Sequence, residues 1–325
     1  MKKFEFTGET KTLFDGTVLH RIKALVRIES NAGNINVGDI GGWIEKEDNL
    51  SHDGNAWVSG KAEVYGNARV FGNAWVYGKA EVYGDAWVYG KAEVYGDAWV
   101  YGDVEVYGNA RVSDNAWVFG KAEVFGNARV SDNALVYGNA KVFGNALVYG
   151  NARVFGNTGV YGDARVSDNA WVFGNARVSD NAWVFGNARV SDNALIYGSA
   201  RVFGNAWVYG KAEVYGDARV SDNALVYGNA RVSDNAWVYG DAEVFRMEHY
   251  LVMGPIGSRN AFTTFFRTKE RNIKVVCGCF FGTIDEFLAK VKQTHGDSKH
   301  AKVYRAAVEV ALAQLEDVER RNDNA

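Results

Sequence analysis

Histidine and cysteine are absent from residues 55–245, proline occurs once (Pro255), and no long hydrophobic run interrupts the 325 residues. Each shortage excludes something. No apolar segment approaches the roughly 18 residues needed to cross a bilayer as a helix. The start, MKKFEFTGETKTLF, is basic but lacks the apolar run of about 7–15 residues that marks a signal peptide. Cys277 and Cys279 make no disulfide framework, and alternate positions are poor partners for each other. Glycines at 254, 257, 278 and 282 form neither G-x-x-x-x-G-K-[ST] nor G-x-G-x-x-G, so no phosphate loop is present. A net charge of −3 speaks against non-specific nucleic-acid binding by the whole chain. The expectation is a cytoplasmic protein with no cofactor.

Repetition is what the chain has in abundance. It holds 37 glycines, 17 tyrosines, 18 phenylalanines and 10 tryptophans. Valine falls at every sixth position from 58 to 244, with Ile196 the one exception among 32 sites. Alanine stands two residues before each, except at Val104 and Thr158. Two positions apart on an extended chain means one shared side, so Ala and Val point inward and their neighbours outward. A helix is excluded, because a six-residue period draws no constant stripe on a 3.6-residue turn and glycine recurs throughout. Gly-Asn, Gly-Asp, Gly-Lys and Asp-Asn then read as corners, since Gly and Asn tolerate positive φ. Strands this short bury nothing as hairpins, whereas stacked coils bury Ala and Val in a narrow interior.

The unit V-Y-G-N-A-x resembles the hexapeptide of the left-handed β-helix family over residues 55–245. That resemblance implies a mainly-β, single-stranded left-handed β-helix, a triangular prism with three hexapeptides per coil. Eighteen residues per coil give about eleven coils and a length on the order of 50 Å. The flanks GGWIEKEDNLSHDGNAWV and CGCFFGTIDEFLAKVKQTHGD resemble hexapeptide-repeat proteins of phages and prophages. They imply such an origin and no particular activity.

The expected domains are an N-terminal β cap (1–54), the repeats (55–245) and a C-terminal ββαα domain (246–325). Solenoid ends need covering, and Trp43 and Ile44 are placed to cover the first coil. In the C-terminal region AFTTFFRT and IKVVCGCFF read as two strands about the turn Lys269–Asn272. Thr283 with Glu286 makes a capping box for a helix ending near His295-Gly296. A last helix over about 299–320 sets Tyr304, Val308, Ala311, Leu315 and Val318 in one seam, suited to packing on the strands or to pairing between chains. This region carries 13 Lys and Arg against 10 Asp and Glu, the repeats 16 against 20.

Catalysis is not expected. Acyltransferases and carbonic anhydrases of the resembled family place histidines on the prism, and these repeats have none. Outside them, Cys277, Cys279, His295 and His300 could hold a structural zinc, although C-x-C is not the usual knuckle and small buried thiols are common. The outward columns carry more. Taking every third unit as one face, the face beginning at Tyr65 holds Tyr65, Tyr83, Tyr101, Phe119, Tyr137, Phe155, Phe173, Tyr209, Tyr227 and Phe245, interrupted by Ser191. Trp99, Trp117, Trp171 and Trp207 lie on the same face. Such columns either stabilise the sheet by stacking or form an apolar interface. Where Asp replaces Gly at a corner, Ser replaces the aromatic, as in seven of the eight serines that follow a repeat Val. The expectation is a non-catalytic homo-oligomeric scaffold that presents its C-terminal domain to a partner. A phage-encoded binder of a host protein or small nucleotide is the alternative, and an acyltransferase-like enzyme comes third.

Overall fold

The computed structural model describes residues 1–30 and 33–316. They form two compact units, Met1–Asn175 and Ala176–Ala325.

In the first unit the rungs are two to four residues long, such as Trp57–Val58 and Trp99–Gly102, and each pairs in parallel with the rung eighteen residues away. Three sheets therefore run side by side, one per face of a three-sided solenoid. Every Ala and Val of the pattern is fully buried, as the two-residue spacing requires. The backbone is satisfied coil to coil. Trp57 N–H donates to the Ala74 carbonyl at 3.0 Å, Ser59 to Val76 at 2.9 Å and Lys61 to Gly78 at 2.7 Å. The corner glycines earn their place twice. Gly96 has φ +73, and a Cβ there would lie 2.7 Å from the backbone nitrogen of Asp114 in the next coil.

The cap grows out of the same sheet. Strand Val18–Ala24 is antiparallel to both Phe4–Thr12 and Ile40–Ile44, and the last pairs in parallel with Glu63–Val64. Trp43 and Ile44 are buried, as expected. Polar groups finish the coil end. The buried Lys3 ammonium donates to the Ala56 carbonyl at 2.7 Å, and Asn49 Nδ2 donates to the Ala68 carbonyl at 2.8 Å. Burial lowers the Lys3 pKa to about 8, with Asp53 opposing. Strand Ile40–Ile44 thus joins the cap to the first coil.

In the second unit the repeat continues from Arg177–Val178 to Glu243–Val244 and is followed by a four-stranded antiparallel sheet and two helices. Two strands were expected and four are present: Tyr250–Ile256, Ala261–Arg267, Ile273–Cys277 and Phe280–Thr283. The domain is therefore ββββαα. Gly278 at φ 63 folds IKVVCGCFF back on itself, so that Cys277 pairs with Phe280. The extra first strand tolerates Pro255 because it lies at the sheet edge. Helix α1 (Ile284–His295) carries the expected box, Thr283 Oγ1 accepting from Glu286 N–H at 3.3 Å. Helix α2 (Lys299–Glu316) buries Tyr304, Val308, Ala311 and Leu315 against Phe265, Val275, Phe287 and Val291. Of the two uses foreseen for this seam, packing on the domain's own strands is the one observed. Val318 lies outside the described residues.

Candidate functional site

The aromatic columns come first, because the coil geometry decides what they expose. From Tyr65 to Phe173, rings one coil apart stack with centroids 4.8–5.2 Å apart and planes within 5° of parallel. A second face stacks likewise from Phe71 to Tyr161, with planes within 7° of parallel. In the second unit Tyr209, Tyr227 and Phe245 continue the motif, and Phe185 stacks on Phe203. The Tyr65 face therefore differs from its neighbours in length and not in kind. Each ring covers the next, which leaves the columns half-buried.

Several of their hydroxyls are engaged as well. Tyr89 donates to Glu105 at 2.7 Å, Tyr77 to Glu93 at 3.0 Å and Tyr227 to Glu243 at 2.7 Å, each partner sixteen residues on. Burial raises these tyrosine pKa values, and the carboxylate raises them further. Tyr83, with burial again the first cause, is pushed up to about 12. Among the repeat side chains only Trp87 and Trp117 stand as large exposed apolar groups, at 42% and 38%. Trp117 stacks on Trp99 at 4.9 Å, on the Tyr65 face.

The corners explain the Ser-Asp-Asn variant. Asp114, Asp132 and Asp192 adopt φ of 58–59°. Asp132 Oδ2 accepts from Gly150 N–H at 2.9 Å, and Asp192 Oδ2 accepts from Gly210 N–H at 3.0 Å, so the carboxylate caps the next corner. The preceding serine is small enough to be buried, and Ser113 Oγ donates to Asp114 Oδ2 at 2.9 Å. Where Ser191 interrupts the column, Trp207 Nε1 donates to its Oγ at 3.1 Å. Asparagines after the corners form ladders, Asn109 to Asn127 at 3.0 Å and Asn127 to Asn145 at 2.9 Å.

The C-terminal domain offers something different, a cavity of about 250 Å³ between its sheet and helices. Phe280, Phe287, Val291 and Tyr304 form its apolar wall; Ser258, Arg259, Cys277, Cys279, Lys290, Thr294 and His295 complete the lining. Phe287 meets Tyr304 edge-on at 5.5 Å and Phe280 at 5.3 Å. Gly257 fixes the Tyr304 ring: at φ +74 it leaves so little room that an added Cβ would sit 1.8 Å from the phenol oxygen. Cys277 accepts from Thr263 Oγ1 at 3.3 Å and faces the Tyr304 hydroxyl at 3.8 Å. Burial, then the adjacent Cys277, raises the Tyr304 pKa.

The four residues weighed as zinc ligands are not all brought together. Cys277, Cys279 and His295 share the cavity, whereas His300 is not among its lining residues. Among the described residues no three His, Cys, Asp or Glu side chains converge closely enough to hold a metal ion. The reason is the hairpin: it ends the strand at Cys277 and leaves Cys279 exposed at the turn, facing Arg259. Arg259 and Lys290 were not foreseen. They lie 31 positions apart and line one cavity because α1 folds back over the sheet.

Coils of eighteen residues, inward Ala and Val, and outward stacked columns define a β-solenoid repeat protein. Seven segments, residues 62–78, 106–120, 128–142, 140–162, 188–202, 212–228 and 224–240, match the family model described as YdcK Beta solenoid repeat. The chain is similar to that family in these segments. No curated protein matched it. No helix among the described residues is long and apolar enough to cross a membrane.

Proposed function

We propose that this protein is a non-catalytic scaffold whose repeats act as a rigid support and whose C-terminal ββββαα domain is the binding module. One observation carries the reading. Most of the repeat's outward rings and corner asparagines are engaged coil by coil, with Trp87 and Trp117 left exposed, whereas the C-terminal domain keeps a cavity walled by Phe280, Phe287 and Tyr304 and adds the exposed Phe262 and Val310. The similarity of both flanks to prophage-encoded proteins supports a phage or prophage origin and a cytoplasmic place of action.

Affinity capture from bacterial lysate with the full chain tests the reading. Wild type is expected to retain one stoichiometric protein, and Phe262→Ser with Val310→Glu to lose it while Trp87→Ala keeps it. Capture that ignores the C-terminal changes overturns the assignment. Self-association along the Tyr65 face belongs to the same proposal, favoured by the exposed Trp117 stacked on Trp99. An exposed aromatic pair of that size is a common anchor of protein contacts.

A further inference from the structure

We propose that the C-terminal cavity binds a small organic anion with a single apolar ring, held by Arg259 and Lys290 at the mouth and by Phe280, Phe287 and Tyr304 within. The inference rests on the reading of this domain as the binding module and names what one part of it takes.

Three observations lead there. The first is size. About 250 Å³ is below the roughly 300–1,000 Å³ of sites for drug-sized ligands, so the cavity suits one ring and a short head group. The second is charge. Arg259 and Lys290 line the cavity with no Asp or Glu among its lining residues, and the other polar groups that line it are two thiols, hydroxyls and the His295 ring. A cationic mouth over an apolar floor selects a ligand of the opposite construction, negative at one end and apolar at the other. The third is rigidity. Phe287 is locked edge-on against Tyr304, and Tyr304 is itself wedged over the Gly257 backbone. A preformed wall spares the ligand the cost of ordering it.

Arg259 is the residue that decides specificity. Its guanidinium is exposed, lies 3.8 Å from Cys279 Sγ, and presents a planar fork suited to a carboxylate. Lys290 lines the cavity from α1, and its ammonium donates to Gln293 Oε1 at 3.0 Å. The two cysteines supply a built-in reporter, because both line the cavity and Cys277 is the more enclosed.

The test titrates the full chain with phenylacetate by calorimetry, with 2-phenylethanol and acetate as the uncharged and ring-free controls. For a ligand of about ten non-hydrogen atoms a dissociation constant on the order of 1 mM is expected, with either control at least tenfold weaker. Arg259→Gln should weaken phenylacetate at least fivefold and leave 2-phenylethanol unchanged, and Lys290→Gln should act the same way to a smaller degree. Both positions are exposed, so folding is checked by an unaltered melting curve. Saturating phenylacetate should also slow alkylation of Cys277 by iodoacetamide several-fold. Equal binding of phenylacetate and 2-phenylethanol, an unaffected Arg259→Gln, or no saturable binding of phenylacetate overturns the proposal. No phenylacetate binding with the protein partner still captured removes the pocket and keeps the scaffold. Phenylacetate binding with no captured partner does the reverse.

Discussion

The repeats and the C-terminal domain solve the burial problem in opposite ways. Between residues 55 and 245 no inward side chain is larger than isoleucine, and each sits beside a near-copy of itself eighteen residues on. Stability is a sum of many similar small terms, the arrangement expected of a one-dimensional solenoid. The C-terminal domain instead gathers a few large groups, Phe265, Phe287, Tyr304 and Leu315, into one core. There a single side chain carries much of the whole. The contrast has a functional side: a lattice that repeats itself pairs its own surface groups, and an irregular core leaves a cavity.

The comparison breaks most sharply at Phe287. Removing a buried phenylalanine typically costs about 3–5 kcal/mol, and here the ring touches Phe265, Phe280 and Tyr304. Phe287→Ala should melt the C-terminal domain at markedly lower temperature while the β signal of the repeats persists to the wild-type transition. Hydrogen exchange resolved by peptide distinguishes the two, and a uniform loss over both regions would contradict the division.

In the repeats the corresponding weak point is too little space. Ala140 is fully buried in the narrow interior. Ala140→Leu should cost about 1–3 kcal/mol through overpacking, read as a lowered denaturant midpoint. The inward assignment was legible from the sequence because a period of two and a period of six leave Ala and Val no other common side. The capping box at Thr283 and the covering role of Trp43 and Ile44 were legible for the same reason, each being a local pattern. The first and fourth strands of the C-terminal sheet were not. Gly254-Pro255 reads as a break, and the turn at Gly278 divides an apolar run that looks continuous. The columns are legible as positions, but how far neighbouring rings cover one another is not. Only the 4.8 Å spacing of successive coils shows that each ring is roofed by the next. The cavity depends on residues from four segments and left no signal beyond its cysteines and His295.

Those columns give the third test. Tyr101, Phe119 and Tyr137 replaced together by Ser should lose about 0.2–1 kcal/mol per stacked pair and remain folded, since Ser113, Ser131 and Ser191 already occupy equivalent sites. If the Tyr65 face also joins copies of the chain, light scattering should show smaller species than wild type. An unchanged mass with a modest stability loss assigns the face to stacking alone.

Alkali provides a smaller and graded effect. Tyr65, Tyr77, Tyr89 and Tyr227 hold their protons in the folded chain above the ordinary value of 10.0, through burial first and glutamate second, and Tyr83 does so up to about 12. A raised folded pKa means that the contribution is fully present below pH 10 and is lost as pH rises from there through the folded values. Melting temperature should thus be flat in this respect to about pH 10 and fall from pH 10 toward 12. Tyr89→Phe should lessen the slope, and an equal slope would remove this tyrosine from the account.

The smallest effect is expected one residue from Ala140. Lys141 points outward and pairs with Glu123 at 2.7 Å, both side chains being partly open to solvent. Such pairs contribute about 0–1 kcal/mol and less in salt, because water already screens the charges and ordering a long side chain is costly. Leucine at 141 gives up that pair but keeps an apolar stem at an outward position that leucine already fills in the preceding and following units, at Leu135 and Leu147. Lys141→Leu should therefore shift the denaturant midpoint by less than about 0.5 kcal/mol, and by less still at 1 M salt, where the wild-type pair is already screened. Equal losses for Ala140→Leu and Lys141→Leu would mean that the two sides of the rung are not different, and the inward-outward account of the whole repeat would fail with them.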